Sequence, residues 1–370
     1  MKLLFLIRSL GGGGAERVLI DILKNIDKDK FDITVCTIIN EGIYRDELPD
    51  YVHYHSIIKK PGRCKWAIFW RMLKWLPSWL TYKLFIRGKY DVEIGFLEGF
   101  STQLLAGSTC KKKIAWVHTD IVENDSFSVY YPSEKAHRNT YKSFNKVVFV
   151  STLALNQFKK RFGDLGNDEV VYNFIDKPQI QTKSEEKVSF PKNNDNVPII
   201  CSVGRLAQVK GYIRLLQAHK KLIDEGILHK IWLLGTGEEE ENLKTYCQEN
   251  RLNETVYFLG FQSNPYPYVR QSDVYVCSSF AEGYPLSVAE ALVLEKPIIA
   301  TNCTGPSEIL NDGEYGLLVE NSEDGIYDGL RRILTDKEFL VELKEKAHIG
   351  AVRFAPEVII SKIENLIINL

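Results

Sequence analysis

Short apolar runs alternate with longer stretches of helical periodicity along the whole chain. Eleven runs stand out, five in the first half and six in the second: KLLFLI (2–7), DITVCTI (32–38), VEIGFL (92–97), KIAWVH (113–118) and KVVFVS (146–151), then PIICSVG (198–204), KIWLLG (230–235), VYFLGF (256–261), VYVCSS (274–279), PIIAT (297–301) and GLLVE (316–320). Their hydrophobicity is continuous rather than alternating, which is typical of strands covered on both faces. The pattern therefore predicts an α/β protein with parallel sheets flanked by helices.

A polar segment separates the two groups of strands. Residues 177–198 contain three prolines and no apolar period, which is typical of a linker. We expect a first domain at 1–176, a linker at 177–197, a second domain at 198–355 and a final helix at 356–370 that packs back on the first domain. Two doubly wound domains joined in this way are expected to enclose a cleft at the carboxyl ends of their strands, where ligands of such sheets bind.

Composition excludes several classes of protein. The hydrophobic content of 45% and charged content of 26% are those of a globular protein. Seven scattered cysteines, never spaced as CxxC, indicate reduced core residues of a cytosolic protein rather than disulfides or zinc ligands. No run approaches the roughly 20 apolar residues of a spanning helix. The opening KLLFLI is interpreted as a strand and not as part of a signal peptide, because Arg8 and a glycine cluster follow it.

Charge is distributed unevenly although the net charge is only −1. Residues 1–176 carry 26 Lys and Arg against 20 Asp and Glu, whereas the rest of the chain carries 21 against 28. A basic half indicates an anionic partner, which could be nucleic acid, a membrane surface or a phosphorylated substrate.

Two strand-to-helix turns are candidates for binding phosphate. Four glycines at 11–14 follow the first strand, where backbone amides can approach an anion at the start of a helix, although a flexible turn is the alternative. Arg205 and Lys210 follow the first strand of the second domain in GRLAQVKGY. Two fixed cations at this place could hold a diphosphate and neutralise its charge as it leaves, or they could be ordinary surface residues.

The segment SSFAEGYPLSVAEALVLEKPIIAT carries the most specific pattern. Glu282 and Glu290 are separated by seven residues, and Pro285 suits a first helical turn. Eight helical residues are a little over two turns, so we expect the two carboxylates on one face, where they can accept hydrogen bonds from sugar or ribose hydroxyls. His118 ends the run KIAWVH at the same predicted strand edge and is either structural or part of the site.

Taken in order, these motifs resemble the retaining glycosyltransferases with two Rossmann-like domains, the GT-B fold, and within them family four. The resemblance spans residues 2–320 and rests on the GG-A-E turn (13–16), His118, the G-R-L…K-G segment (204–211), the G-x-G turn (235–237) and E-G-Y-P-L…E (282–290).

The resemblance implies a role for each matching residue. Arg205 and Lys210 would hold the departing diphosphate, Glu282 would bind the donor sugar, and His118 would line the reaction centre near the 6-position of the sugar. Glu290 would bind the ribose of the donor. The residues implied in binding the donor are Gly13, Gly14, Gly235, Gly283, Tyr284, Pro285, Leu286 and Glu290. The first domain would bind the acceptor and the second a nucleotide-sugar, most commonly a UDP-sugar.

Neither a metal nor another cofactor is expected, because the resemblance implies that cations replace the divalent ion. The chain has one Asp-x-Asp pair, Asp27 and Asp29, in the charged turn DKDK, and we interpret it as solvent-exposed. The resemblance further implies retention at the anomeric carbon and a hexosyl- or N-acetylhexosaminyltransferase.

Residues 61–90 have the composition of an interfacial segment. They hold seven Lys and Arg, no acid and four of the six tryptophans. We interpret them as an amphipathic patch that contacts anionic membrane, formed by Trp66, Trp70, Arg71, Lys74, Trp75 and Trp79. The alternatives are a buried aromatic helix and an RNA-binding surface, but no nucleic-acid motif is present.

These patterns together predict a cytoplasmic enzyme, peripheral to the inner face of the membrane, whose acceptor is a lipid-linked or polysaccharide precursor. Two other functions stay open at this point. A nucleotide-sugar 2-epimerase shares the two-domain architecture, but it would not be expected to carry the Glu-Gly-Tyr-Pro-Leu…Glu segment. A catalytically silent scaffold would be favoured if Arg205, Lys210, Glu282 or Glu290 were replaced, and none is.

Overall fold

A computed structural model describes residues 1–59, 68–69, 71–72, 74–119, 121–122, 125–191, 197–354 and 356–370. The chain divides into two compact units, the first formed by Met1–Phe174 with Pro356–Leu370 and the second by Ile175–Ala355.

The first unit is built on a seven-stranded parallel sheet with the strand order β3-β2-β1-β4-β5-β6-β7. Its strands are β1 (Lys2–Ile7), β2 (Asp32–Ile39), β3 (His53–Ile58), β4 (Val92–Gly95), β5 (Lys113–Val117), β6 (Lys146–Phe149) and β7 (Asp168–Val170). Its α-helices are α1 (Gly14–Asn25), α2 (Ser78–Phe85), α3 (Phe100–Leu105), α4 (Glu134–Lys142), α5 (Thr152–Phe162) and the last helix of the chain, α14 (Pro356–Ile368). Two 3₁₀ turns lie at Ile43–Glu47 and Asp125–Tyr130.

The last helix, α14, is tied to the first unit by polar contacts. The carboxylate of Glu364 is buried and accepts hydrogen bonds from the Asp27 amide at 2.9 Å and from Lys30 Nζ at 2.8 Å. Lys362 Nζ donates to the carbonyl of Val170 in β7 at 2.6 Å. These contacts hold α14 against the turn before β2 and against the edge strand.

The second unit contains a six-stranded parallel sheet with the order β10-β9-β8-β11-β12-β13. Its strands are β8 (Ile199–Val203), β9 (Lys230–Leu234), β10 (Val256–Phe258), β11 (Val274–Cys277), β12 (Ile298–Thr301) and β13 (Leu317–Val319). Its helices are α6 (Lys177–Lys183), α7 (Tyr212–Asp224), α8 (Glu240–Glu249), α9 (Tyr266–Gln271), α10 (Leu286–Val293), α11 (Thr304–Ile309), α12 (Glu323–Thr335) and α13 (Lys337–Ala351), with a 3₁₀ turn at Gln208–Lys210.

Both sheets reverse their strand order at the first strand of the unit. In the second unit β8 lies between β9 and β11, so the loops that leave β8 and β11 diverge and open a crevice at this point. The predicted α/β class with two doubly wound, Rossmann-like domains is confirmed.

The predicted linker contains a helix. Residues 177–183 form α6, whose cap is Asp176, since its carboxylate accepts the Gln179 amide at 3.0 Å. Ile180 is buried in the core of the second unit, whereas the other residues of the helix are not. A helix held by one buried apolar residue produces no apolar period, which is why the sequence pattern does not reveal it.

Candidate active site

Two loops at the carboxyl ends of β8 and β11 bring together two of the predicted site residues, Lys210 and Glu282. Lys210 ends the 3₁₀ turn after β8, and its Nζ donates to Glu282 Oε1 at 2.5 Å. Ser279 Oγ donates to the same oxygen at 2.7 Å. Burial acts to lower the pKa of Lys210, but the Glu282 carboxylate outweighs it and raises the pKa, so the ammonium stays charged.

Glu282 keeps one carboxylate oxygen available. Both contacts fall on Oε1, and Oε2 makes no hydrogen bond to any residue that the structure describes. An ionised carboxylate is an acceptor only, so this oxygen can accept a hydrogen bond from a ligand hydroxyl.

Arg205 is the second cation of this loop. Its side chain is exposed, and within the described part of the chain it makes no hydrogen bond or ion pair. A guanidinium in this state can take a diphosphate without first breaking an internal contact.

Gly235 lies where β9 meets the loop of β8. Its φ is +135°, and a Cβ there would stand 2.0 Å from the carbonyl oxygen of Gly204. Close backbone packing therefore explains this glycine, and its predicted contact with a donor stays a prediction.

The helix α10 begins later than the pattern predicts. It starts at Leu286 with Pro285 at the N-cap position, so Glu282 lies in the preceding loop while Glu290 lies on the helix. The expectation that both carboxylates share one helical face is wrong, because the chain from Glu282 to Pro285 is not helical. Glu290 Oε1 accepts a hydrogen bond from the Tyr266 hydroxyl at 3.1 Å. Between the two carboxylates, Gly283 is buried and Tyr284 is half-buried.

In the first unit, the glycine turn opens α1 as predicted. Gly13 takes the N-cap position and Gly14 begins the helix, so its first amides follow directly after β1 and the glycine turn. The positive end of the helix dipole favours an anion there.

His118 follows β5 and is buried. Its ring centroid lies 4.7 Å from that of Phe96, and its Nε2 has no hydrogen-bond partner among the described residues. Burial lowers the pKa of His118 to about 3, so the imidazole is neutral at pH 7.

Glu98 is a residue of this strand edge that the sequence analysis missed. It follows β4, is only 2% exposed, and accepts the His118 amide at 2.8 Å and the Thr119 hydroxyl at 2.8 Å. Burial raises the pKa of Glu98, although both hydrogen bonds act to lower it. An acid directly after the apolar run VEIGFL is the signal that would have indicated it.

The described part of the predicted patch is amphipathic. Trp75 is 72% exposed and Trp79 is 55% exposed, while Phe69 is buried and packs on Phe85 with ring centroids 4.9 Å apart. Lys74 lies beside the ring of Trp75 at 6.0 Å. Trp66 and Trp70 lie outside the described residues, whereas Arg71 lies inside them and is exposed. Trp75 and Trp79 are therefore not core residues, because phenylalanines occupy the inward side.

The Asp-x-Asp pair lies far from the carboxyl ends of the strands. Asp27 and Asp29 precede β2, and Asp27 accepts the Asp29 amide at 2.9 Å and pairs with Lys30 at 3.2 Å. Among the described helices, none is both long and apolar enough to cross a bilayer.

Two parallel, Rossmann-like sheets with a charged pair at the reversal point of the second define a two-domain α/β protein of the kind that binds nucleotides. The family model described as "Glycosyltransferase Family 4" matches residues 12–178, and "Glycosyl transferases group 1" matches residues 183–349. Together they cover most of the chain, which therefore belongs to the group 1, family 4 glycosyltransferases and has the GT-B fold.

A curated relative aligns along nearly the whole chain. The N-acetylgalactosamine-N,N'-diacetylbacillosaminyl-diphospho-undecaprenol 4-alpha-N-acetylgalactosaminyltransferase of Campylobacter jejuni is 28% identical over an alignment of 370 positions, which covers 95% of this chain and 95% of the relative.

Solved structures share the fold. Anabaena HepE in complex with UDP and glucose superposes with a TM-score of 0.78 at 19% identity, covering 100% of both chains. The sucrose-phosphate synthase of Thermosynechococcus elongatus superposes with a TM-score of 0.79 at 15% identity, covering 99% of this chain and 98% of that one. At these identities the likeness concerns the fold.

Proposed function

We propose that the protein is a retaining, metal-independent glycosyltransferase that moves a hexosyl or N-acetylhexosaminyl group from a UDP-sugar to a lipid-linked saccharide. The second domain binds the donor, the first binds the acceptor, and no cofactor takes part. The observation that carries the proposal is the Lys210–Glu282 pair, with exposed Arg205 nearby in sequence, at the reversal point of the second sheet.

In the proposed reaction, the bond between the anomeric carbon and the diphosphate oxygen breaks, and the bond to an acceptor hydroxyl oxygen forms. Negative charge develops on the leaving diphosphate, and the fixed charges of Lys210 and Arg205 stabilise it without reorganisation. The free Oε2 of Glu282 accepts a hydrogen bond from a sugar hydroxyl, and Glu290 accepts hydrogen bonds from the ribose. The proton of the acceptor hydroxyl leaves with the diphosphate if attack occurs on the same face as departure.

The proposed acceptor class rests on the Campylobacter relative, whose name describes a saccharide on diphospho-undecaprenol. The exposed Trp75 and Trp79 beside basic residues supply a surface with which the first domain could reach such a lipid at the cytoplasmic face of a membrane.

Release of nucleotide from a panel of UDP- and GDP-sugars, with and without lipid extract, tests the proposed function. We expect release from one or a few UDP-sugars and stimulation by the extract. Interconversion of a UDP-sugar with its 2-epimer would support the epimerase instead. Absence of both reactions, with intact nucleotide binding, would support a silent scaffold.

Activity is expected to persist in excess chelator, because Arg205, Lys210 and helix amides supply the positive charge that a divalent ion supplies elsewhere. Turnover is measured with and without EDTA, and then with manganese added. Complete loss in EDTA that manganese restores would overturn metal independence.

The two carboxylates are expected to act on different parts of the donor. Glu290→Gln should weaken binding of UDP itself, since the ribose contact remains after the sugar has gone. Glu282→Gln should weaken binding of the intact donor more than binding of UDP, because the sugar contact is lost, whereas UDP is affected only through the loosened Lys210. Calorimetry with UDP and with UDP-sugar distinguishes these roles, and equal losses of UDP affinity in both variants would contradict them.

The exposed tryptophans are expected to bind anionic vesicles. Trp75→Ser with Trp79→Ser should reduce flotation with anionic vesicles and leave the melting temperature unchanged, because both rings are largely exposed. Wild-type binding should weaken with salt, since basic residues near such a surface contribute about 1 kcal/mol each and are screened. Phe69→Ser is the matched control, since Phe69 is buried on the same segment and its loss should destabilise the domain. Wild-type protein that does not float would exclude the membrane contact.

A further inference from the structure

Arg214 is a buried arginine that contacts the loop carrying Glu282. It lies in the first turn of α7 and is only 7% exposed. Its Nη2 donates to the carbonyl of Ser278 at 2.6 Å, and its Nη1 donates to the carbonyl and side-chain oxygens of Asn321 at 3.1 and 3.0 Å. The guanidinium also lies 3.6 Å from the ring centroid of Phe280.

No carboxylate among the described residues pairs with Arg214. Its charge is balanced only by neutral carbonyl and amide oxygens and by an aromatic face, and its Nε has no partner among those residues. A buried cation without a counter-ion costs free energy, so an aliphatic residue would be expected there if packing were the only demand.

Arg214 contacts the loop Ser278–Glu282 directly at Ser278 and Phe280, and it contacts Asn321 on the far side of that loop. The same loop is joined to the turn after β8, because Ser278 Oγ donates to the Lys210 carbonyl at 2.9 Å and the Phe280 amide donates to the Val209 carbonyl at 2.8 Å. Asn321 closes the arrangement from the other side, with its Nδ2 donating to the Phe280 carbonyl at 2.9 Å.

Gly211 allows the backbones to come this close. Its φ is +63°, and a Cβ there would stand 2.2 Å from the Ser278 carbonyl that Arg214 also contacts. The loop that carries Ser279 and Glu282 therefore lies directly against the turn that carries Lys210.

We propose that Arg214 is a positioning residue, which fixes the Ser278–Glu282 loop so that Glu282 holds the Lys210 ammonium in place for the leaving diphosphate. This inference rests on the proposed function, but the fixing of the loop is a property of the free protein. A planar guanidinium can bridge Ser278 and Asn321 at the same time, whereas a lysine ammonium at the end of a flexible stem cannot reproduce that geometry.

Hydrogen exchange in the free protein tests whether Arg214 fixes the Ser278–Glu282 loop. Arg214→Lys should speed exchange of the amides in Ser278–Glu282, above all that of Phe280, while the amides of β8 and β11 change little. Arg332→Lys is the control. The Arg332 guanidinium, on α12, also lies 3.6 Å from a phenylalanine ring centroid, that of Phe339 on α13, but its side chain is exposed and far in sequence from the loop. If Arg214→Lys does not fold, Asn321→Ala removes one partner of the same arrangement from an exposed position. Unchanged exchange in the loop would overturn the inference.

Kinetics test whether this loop, through Glu282, positions the Lys210 ammonium for the leaving diphosphate. Arg214→Lys should lower kcat by on the order of 100-fold with a smaller change in KM, because a misplaced cation fails mainly in the transition state. The double variant Arg214→Lys/Glu282→Gln should lose little more than the worse single variant, since both act through one pair. Multiplied losses would show that Arg214 acts independently of Glu282 and would overturn the inference. Wild-type protein without donor turnover would instead overturn the proposed function, and the exchange experiment would still decide whether Arg214 fixes the loop.

Discussion

Replacing Arg205 or Lys210 with alanine should lower kcat/KM by about 100- to 1,000-fold, which corresponds to about 2.7–4 kcal/mol for one lost contact to developing negative charge. The reason is the same for both residues: each supplies fixed positive charge where the proposed diphosphate leaves. Steady-state kinetics with the preferred UDP-sugar measure the effect.

The two variants should differ in stability. Arg205 is exposed and pairs with no described residue, so Arg205→Ala should melt like the wild type. Lys210→Ala removes the partner of the partly buried Glu282 carboxylate and should lower the melting temperature. Arg331→Ala is a suitable control, because Arg331 is an exposed arginine of the same unit that pairs with Glu225 on the surface. Wild-type turnover by either site variant would contradict its proposed role.

Acid should destabilise the second unit between pH 6.5 and pH 5, because two histidines are buried in it. His219 and His229 are buried and joined by a hydrogen bond of 2.7 Å between His219 Nδ1 and His229 Nε2. His229 Nδ1 lies 2.8 Å from the Ile227 carbonyl, which can only accept, and His219 Nε2 lies 2.8 Å from the Thr255 hydroxyl. The contacts of His219 with His229 and of His229 with Ile227 are therefore satisfied when both rings are neutral, with the proton on Nδ1 of each. The Thr255 hydroxyl then donates either to His219 Nε2 or to the Leu252 carbonyl, 3.1 Å away.

The sign of the effect follows from the two pKa values. Burial and, to a smaller extent, His229 lower the pKa of His219 to about 2, and burial lowers the pKa of His229 to about 4. In the unfolded chain both take up a proton near pH 6.5, so the unfolded state binds more protons below that pH. The stabilisation is complete above pH 6.5 and decreases as the pH falls towards the folded values, by about 3–4 kcal/mol between pH 6.5 and 5.

Native-state hydrogen exchange of the β9 and β10 amides, corrected for intrinsic rates, measures this loss within one unit of a two-domain protein. A variant with both His219→Gln and His229→Gln should be less stable at pH 7 but should have a shallower pH dependence. His348→Gln is the control: this exposed histidine pairs with Glu295, which raises its pKa, so its contribution has the opposite sign. An unchanged slope in the double variant would contradict the prediction.

Sequence periodicity identified most of the fold. All six strands of the second unit lie within predicted runs. The four inner strands are almost entirely buried, and the half-buried edge strands β10 and β13 are apolar in sequence as well. In the first unit β3 and β7 were not predicted. Both are edge strands that carry polar side chains, HYHSII in β3 and DEV in β7, so neither forms a continuous apolar run.

The motifs also identified the residues of the candidate site, but they did not predict how these residues are arranged. The spacing of Glu282 and Glu290 indicated one helical face, whereas the structure begins α10 at Leu286 and leaves Glu282 in a loop. Local spacing predicts a face only when the helix includes both residues.

Composition, spacing and periodicity were thus sufficient for the α/β class, the family resemblance and the identity of the charged residues, because these are properties of neighbours along the chain. The contact of Lys210 with Glu282 joins residues 72 positions apart, and it arises because β8 and β11 are adjacent in the sheet. The outward orientation of Trp75 and Trp79 was likewise decided by packing, since Phe69 and Phe85 fill the inward side. Strand order and the competition of side chains for the core depend on long-range contacts, which only the folded chain brings together.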